Sequence, residues 1–379
     1  MEFRFDSVAY DRQLFIAQTL PAVPKRSGVY RIFDRHGKLI VLDKTSNLRE
    51  RLERFFGERS FSEDSEMLRD LDLREITSRI EFRSTDSPFE TTYLLYRERR
   101  VEFPKGYRKM RTFRFFTLMK INRKQRFPRV YATRQVKAGV DYFGPFISRG
   151  QFHRLKTALE RTFKLRPCLY NIRGNDPHAD CLYFQMHTCS RPCNNDIDRA
   201  GYLLDVEHAV AFVQGRDAQI EGSLVKEMET LAADMQFEAA ERVHRQLEKV
   251  RRARQEFKDT FLSLWGLNAV VVLPTETVSR CRVVFVREGG IAAFEEYEVE
   301  SLSEVLPADA ERYLKSPLDV VRSDWQFDYF GLVATYIIDP LQSVAVVLIE
   351  DGDDVVAKVI ERIQQRKRKR KKDHVDTVA

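Results

Sequence analysis

The 379-residue chain contains no apolar run near the ~20 residues that a membrane span needs, and its N-terminus lacks the apolar core of a secretory signal. Both absences predict a soluble, cytoplasmic protein with no membrane partner. Cysteine is scarce: of five, Cys168, Cys181, Cys189 and Cys193 fall close together and Cys281 stands alone. That distribution excludes the even, dispersed framework of a secreted disulfide scaffold. There is no internal repeat, no paired Cys-x2-Cys hook of the zinc-ribbon kind, and no motif of the sort that reads bases in a groove. The apolar content of 43% excludes a wholly disordered chain, and the length predicts two or three domains.

Charge is present in quantity but unevenly placed. The formal net charge is only +7, yet Arg97 to Arg134 holds fourteen basic residues against Glu98 and Glu102, while Asp259 to Gln365 holds eight basic against nineteen acidic. A basic front half therefore precedes an acidic rear domain. The final residues, opening on the seven-residue basic run Arg366 to Lys372, repel one another too strongly to fold alone.

Periodicity predicts an α/β multidomain architecture. Gly28 to Phe33 and Leu39 to Leu42 have the spacing of a hairpin, and a helix capped by Ser46 or Asn47 follows with Leu48, Leu52, Phe55 and Phe56 on one face. A strand near Ile80 to Arg83 and a helix from Phe89 to about Arg100 complete a unit over 24–106. Residues 107–200 form a basic, cysteine-rich region with an amphipathic helix on Phe152, Leu155, Leu159 and Phe163. Residues 201–260 form three helices, Leu204 to Val213, Ile220 to Met235 and Phe237 to about Phe257, the last two a helical hairpin. Residues 261–365 form an acidic α+β domain of short β-rich runs, a helix around Asp328 to Ile338, a strand Ser343 to Ile349 and a last helix Val355 to Gln365. The tail over 366–379 is disordered.

Four constellations suggest chemistry. First, Gly28-Val29-Tyr30, the hairpin, Lys44, Asn47 and Arg51-Leu52 resemble the GIY-YIG nuclease domain, and the order of everything over 24–258 resembles the N-terminal part of the UvrC family of nucleotide excision repair. The resemblance implies catalytic roles for Tyr30, Lys44 and Arg51, with a divalent metal held by a glutamate on the later helix. Phosphodiester cleavage needs a deprotonated water, a cation for the growing charge and a donor fork on the phosphate. The pattern departs from the family, however. Val41-Leu42-Asp43 stands where the family has Tyr-Val-Gly, Phe55 replaces a tyrosine, and the metal-binding glutamate falls on Leu95 or Tyr96. Neither residue ligates a hard cation. Glu90 and Glu98 on the same helix are the substitutes to consider. The preferred expectation is a retained fold without a working site, and the alternative is a metal-dependent endonuclease making a single incision.

Second, the order Cys168-x12-Cys181-x7-Cys189-x3-Cys193 suits a metal centre of four thiolates, an iron-sulfur cluster or zinc. The segment Cys181 to Cys193 resembles the UvrC stretch that holds a [4Fe-4S] cluster, which implies that cofactor here in a structural task. Third, Met228 to Arg242 resembles the UVR motif and implies a UvrB-like partner. Phe237, Ala240, Val243 and Leu247 lie on an apolar stripe wider than a lone hairpin can bury, unless it is an intramolecular spacer. Fourth, Arg108, Lys109, Arg111, Arg114, Lys120, Arg123, Lys124 and Arg126 are interleaved with aromatics, the pattern of DNA contact by phosphate neutralisation and stacking; the aromatics could equally be core. Ala269 to Tyr297 bears a faint likeness to the opening strands of an RNase H-like nuclease. The carboxylates Asp351, Asp353 and Asp354 read as a solvated acidic turn in preference to a two-metal site.

Overall fold

The structure, a computed structural model, describes residues 4–57, 72–110, 116–134, 136–137, 140–172, 181–215, 219–257, 262–277, 279–315, 326–338, 344–350 and 352–364. The first unit comprises β1 (Asp6–Ala9), β2 (Gly28–Asp34), β3 (Leu39–Thr45), α1 (Leu48–Phe56), α2 (Leu73–Ile76), β4 (Thr77–Ser84) and α3 (Pro88–Glu102). Its sheet has the order β1-β4-β2-β3 and is antiparallel throughout. Asn47 caps α1 by accepting from the Glu50 N–H, and Ser87 caps α3 by accepting from the Glu90 N–H, with Pro88 in the first turn where its missing donor costs nothing. The unit extends upstream of residue 24, because β1 pairs with β4 and Phe15, Leu20 and Val23 join the core beneath α1. Gly28 is required by close approach: a Cβ there would lie 2.3 Å from the Arg83 carbonyl oxygen.

Period-two alternation divides this sheet. Tyr30, Ile32, Leu48, Leu52 and Phe55 share the core on the α1 side, whereas Val29 and Leu42 pack with Leu94 and Leu95 of α3 on the other.

The second unit holds β5 (Thr117–Ile121), β6 (Val130–Thr133), β7 (Asp141–Phe146), α4 (Arg149–Thr162), α5 (Leu182–Gln185), α6 (Arg199–Val213), α7 (Gln219–Ala233), α8 (Phe237–Phe257) and β8 (Leu262–Ser263). Its sheet runs β6-β5-β7-β8, so the chain leaves after β7, builds five helices and returns to pair Leu262 and Ser263 with Gly144 and Phe143. One core joins α4, α6, α7 and α8 with the strands, uniting residues that periodicity alone assigns to two regions.

The third unit comprises β9 (Ala269–Pro274), β10 (Arg280–Arg287), β11 (Gly290–Glu298), α9 (Leu302–Ala310), α10 (Gln326–Ile338), β12 (Ala345–Leu348) and α11 over 355–364. Its sheet, β11-β10-β9-β12, is antiparallel and covered on both faces, which is why Val270 to Leu273 reads as an uninterrupted apolar run. Val271, Leu273, Val284 and Phe294 share a core with α10 and, across the unit boundary, with Phe89, Leu94 and Leu95 of α3. α3 is therefore held between two units, and Phe89, Tyr93 and Tyr96 meet Phe294, Tyr329 and Tyr336 ring to ring.

Candidate active site, cysteine cluster and nucleic-acid interface

Tyr30 leaves β2 on the α1 face and is 2% exposed, its ring 6.0 Å from that of Phe55. The Arg51 guanidinium lies 5.8 Å over the same Phe55 ring. Tyr30 and Arg51 are thus brought to one place. Lys44 is not: it projects to the α3 side, where it donates to Thr92 Oγ1 at 3.1 Å, and burial pulls its amine below the usual lysine value. Arg99 of α3 reaches round the outer strand to donate to Asp43 Oδ1 at 3.0 Å.

The carboxylates of α3 point elsewhere. Leu95, where the sequence pattern sets the metal-binding glutamate, is fully buried in apolar core with Val29 and Leu42. The alternative position, Tyr96, donates its hydroxyl to Asp328 Oδ2 of the third unit at 2.5 Å, and burial followed by that carboxylate pushes its pKa far up. Glu90 is 1% exposed and faces the Arg282 guanidinium at 2.5 Å; burial pushes its carboxyl up and Arg282 opposes the shift. Glu98 accepts from Arg31 and from Arg97, each at 3.0 Å. Neither substitute carboxylate enters the space between Tyr30 and Arg51.

Around the cysteines the decisive side chain is Arg166, 3% exposed. Its guanidinium donates to the carbonyls of Phe127, Cys168 and Tyr170, and Nη1 lies 3.4 Å from Cys168 Sγ. Tyr202 donates to the Pro128 carbonyl and accepts from the Arg166 N–H, tying α6 to the same loop. The Arg191 N–H lies 3.4 Å from Cys189 Sγ. Burial pushes the Cys189 thiol up to about 11, and Cys168, Cys181 and Cys193 all add to that shift, so the four thiols share one electrostatic neighbourhood. Among the described residues no cysteine forms a disulfide, and no three His, Cys, Asp or Glu side chains are gathered closely enough to hold an ion. Sequence reasoning missed Arg166; a buried arginine two residues before a clustered cysteine carries no periodic signal. His178 lies outside the described residues.

Several aromatics of the basic stretch resolve as core: Phe116, Phe127, Tyr142 and Phe143 are buried and unavailable for stacking on bases, whereas Tyr107 and Tyr131 are half-buried and Phe113 and Phe115 lie outside the described residues. Among the basic side chains Arg123 is also withdrawn, donating to Asp141 at 2.5 Å and to Glu207 at 2.6 Å, which neutralises it as a phosphate contact. Arg108 lies 3.9 Å from Asp328, and the Lys120 ammonium sits 5.3 Å over the Tyr131 ring. Lys109, Lys124 and Arg126 are exposed. Arg111 and Arg114 lie outside the described residues, as does the basic tail.

Residues 116–212 match the family model of the UvrC/Cho excinuclease middle domain, the stretch that carries all four clustered cysteines. UvrABC system protein C of Clostridium perfringens (strain SM101 / Type A) is 27% identical over 288 residues, covering 75% of this chain and 46% of that protein. The same-named protein of Thermoanaerobacter sp. (strain X514) is 25% identical over 76% of this chain and 46% of its own length. The chain is similar to UvrC proteins over about three quarters of its length. It spans slightly under half the length of the UvrC relatives it matches. No solved structure matches.

Against the UvrC resemblance, the α7–α8 hairpin departs from the expected docking surface. Ala240, Val243 and Leu247 are buried, the last two in the core shared with α4 and α6, so they cannot meet a partner's helices; the intramolecular role claims them. Phe237 alone of the expected contacts is exposed, at 66%, beside Met235 at the hairpin tip. In the third unit Asp354 accepts from the Ala357 N–H as a helix cap, and Asp353 pairs with Lys358, as expected of a solvated acidic turn; Asp351 lies outside the described residues.

Proposed function

We propose that the chain acts in nucleotide excision repair as a DNA-binding member of a UvrB-like complex whose strand-cutting site has been lost. The observation that carries this reading is Leu95, apolar and buried where a metal-holding carboxylate belongs, with Glu90 and Glu98 each committed to arginine. Without a ligand for a hard cation, nothing beside Tyr30 and Arg51 stabilises the charge that develops on cleavage. Exposed Lys109, Lys124 and Arg126 supply sequence-independent phosphate contact. The hairpin tip, Met235 and Phe237, supplies the apolar contact for a partner.

Cys168, Cys181, Cys189 and Cys193 would hold a [4Fe-4S] cluster, with zinc the alternative. The donor chemistry suits it, although the thiols would have to draw together: the Arg166 guanidinium lies near one sulfur and the Arg191 N–H near another, donors that lower the cost of gathering thiolates. Bound there, the group would cross-link the loops and supply no step of hydrolysis. Arg166 orients the Cys168 loop, and the Cys193 turn leads into α6.

Nicking of supercoiled plasmid with Mg²⁺ or Mn²⁺ tests the reading, and no metal-dependent nicking is expected. Nicking lost in both Tyr30→Phe and Arg51→Ala would establish the competing single-incision nuclease. For the cofactor, protein purified without oxygen should be brown, with broad absorbance at roughly 400 nm typical of thiolate-bound iron clusters. Colourless protein carrying stoichiometric zinc would settle the choice the other way.

A further inference from the structure

A cleft of about 560 Å³ opens between the outer edge of the second unit's sheet and the start of α4. Thr117 and Thr133 contribute from β5 and β6, Arg134 follows β6, and Arg149 and His153 come from the first turns of α4, over buried Phe152. Three nitrogen-bearing side chains from two elements thus converge where no carboxylate lines the wall. Arginines elsewhere in the chain face carboxylates. Arg123 faces Asp141 and Glu207, Arg31 faces Glu81 and Glu98, and Arg97 faces Glu98. Among the described residues Arg134 and Arg149 have neither an ion-pair nor a hydrogen-bond partner, and both are exposed. α4 has no acidic residue in its first turn, so its positive end adds to the field.

We infer that this cleft seats a backbone phosphate of nucleic acid, held by the guanidinium forks of Arg134 and Arg149, whose planar donors match phosphate oxygens. The inference rests on the DNA-binding reading above and gives it a location. The same edge strand leads from the cleft to the β5–β6 turn, which carries exposed Lys124 and Arg126. Val130 to Thr133 is three residue steps, ~10 Å at 3.3 Å per step, so basic side chains stand beyond both ends of a strand long enough for more than one phosphate to lie along it. A single nucleotide would occupy only one end, which is why a polymer backbone is the better match. With no base-reading group in the cleft, contact there is independent of sequence.

The test is anisotropy of a fluorescent duplex oligonucleotide titrated with the full-length protein over a salt series, comparing wild type, R134A/R149A and R134K/R149K. The alanine pair should weaken binding roughly tenfold or more at low salt and flatten the plot of log affinity against log salt by about 0.9 for each phosphate that the variant no longer neutralises. The lysine pair should keep most of the salt slope, because charge remains, while losing part of the affinity with the fork. All three proteins should melt alike. Wild type that binds the duplex with an alanine pair of unchanged affinity and slope would overturn the cleft alone, leaving it to an acidic protein segment. Wild type that fails to bind the duplex would overturn both the cleft and the DNA-binding reading.

Discussion

Arg282, buried in β10, reaches out of its own unit: Nη1 lies 2.5 Å from Glu90 and Nη2 2.9 Å from Glu296. Removing one partner of a buried pair leaves an uncompensated charge, so Glu90→Ala should cost about 3–5 kcal/mol in chemical denaturation. Lys44 presents the opposite sign. Its folded-state value lies below the usual lysine value, first because of burial and then because Arg99 adds positive charge. In the alkaline window between those two values the unfolded chain binds the extra proton, so stability attributable to this group rises with pH, and below the window the charged amine is a constant cost. Lys44→Met should therefore not destabilise at neutral pH, and its advantage over wild type should shrink on titration towards the lysine range. Loss of folding at pH 7 in that variant would show that Thr92 needs the ammonium. At this scale the sequence was partly legible. The cap of α1 could be narrowed to Ser46 or Asn47, because capping depends on neighbours in the chain, and Asn47 fills it. The partners of Glu90 and Tyr96 could not be read, since both come from about 190 or more residues further along.

Among the elements, α8 runs from Phe237 to Phe257 as its periodicity predicts, but the period does not say which neighbour covers the stripe. In the folded chain α4, α6 and α7 cover it. Leu247→Ala should accordingly cost about 2–5 kcal/mol through the cavity it leaves, whereas Phe237→Ala should leave stability within about 0.5 kcal/mol and weaken capture of a UvrB-like partner, measured by calorimetric titration. Equal stability losses in both would mean the tip is structural. α3 was legible as a helix and illegible as a two-sided one. It is apolar nearly all round because a sheet lies against one side and the third unit against the other. β1 escaped notice because four residues at an edge, only one of them even half-buried, leave almost no alternating pattern.

For the molecule as a whole, the acidic third unit is joined to the first by a continuous apolar core, the Tyr96–Asp328 hydrogen bond and the Arg282–Glu90 pair. It braces the first unit. A chain ending at residue 266, which keeps β8, should therefore expose the outer face of α3, bind a hydrophobic dye and melt below the full-length protein. Coincident melting of the two would mean that the interface contributes little. The electrical polarity read from composition survives only in part, because Asp328, Asp141 and Glu207 each turn to a basic side chain of the front half.

The return of the backbone to β8 has an architectural corollary. The helical insert leaves the sheet after β7 and comes back on the adjoining strand, so its entrance and exit share one doorway. Because the same helices roof the strands they spring from, the seam closed by β8 locks the excursion shut at both ends, and opening it would unroof the sheet.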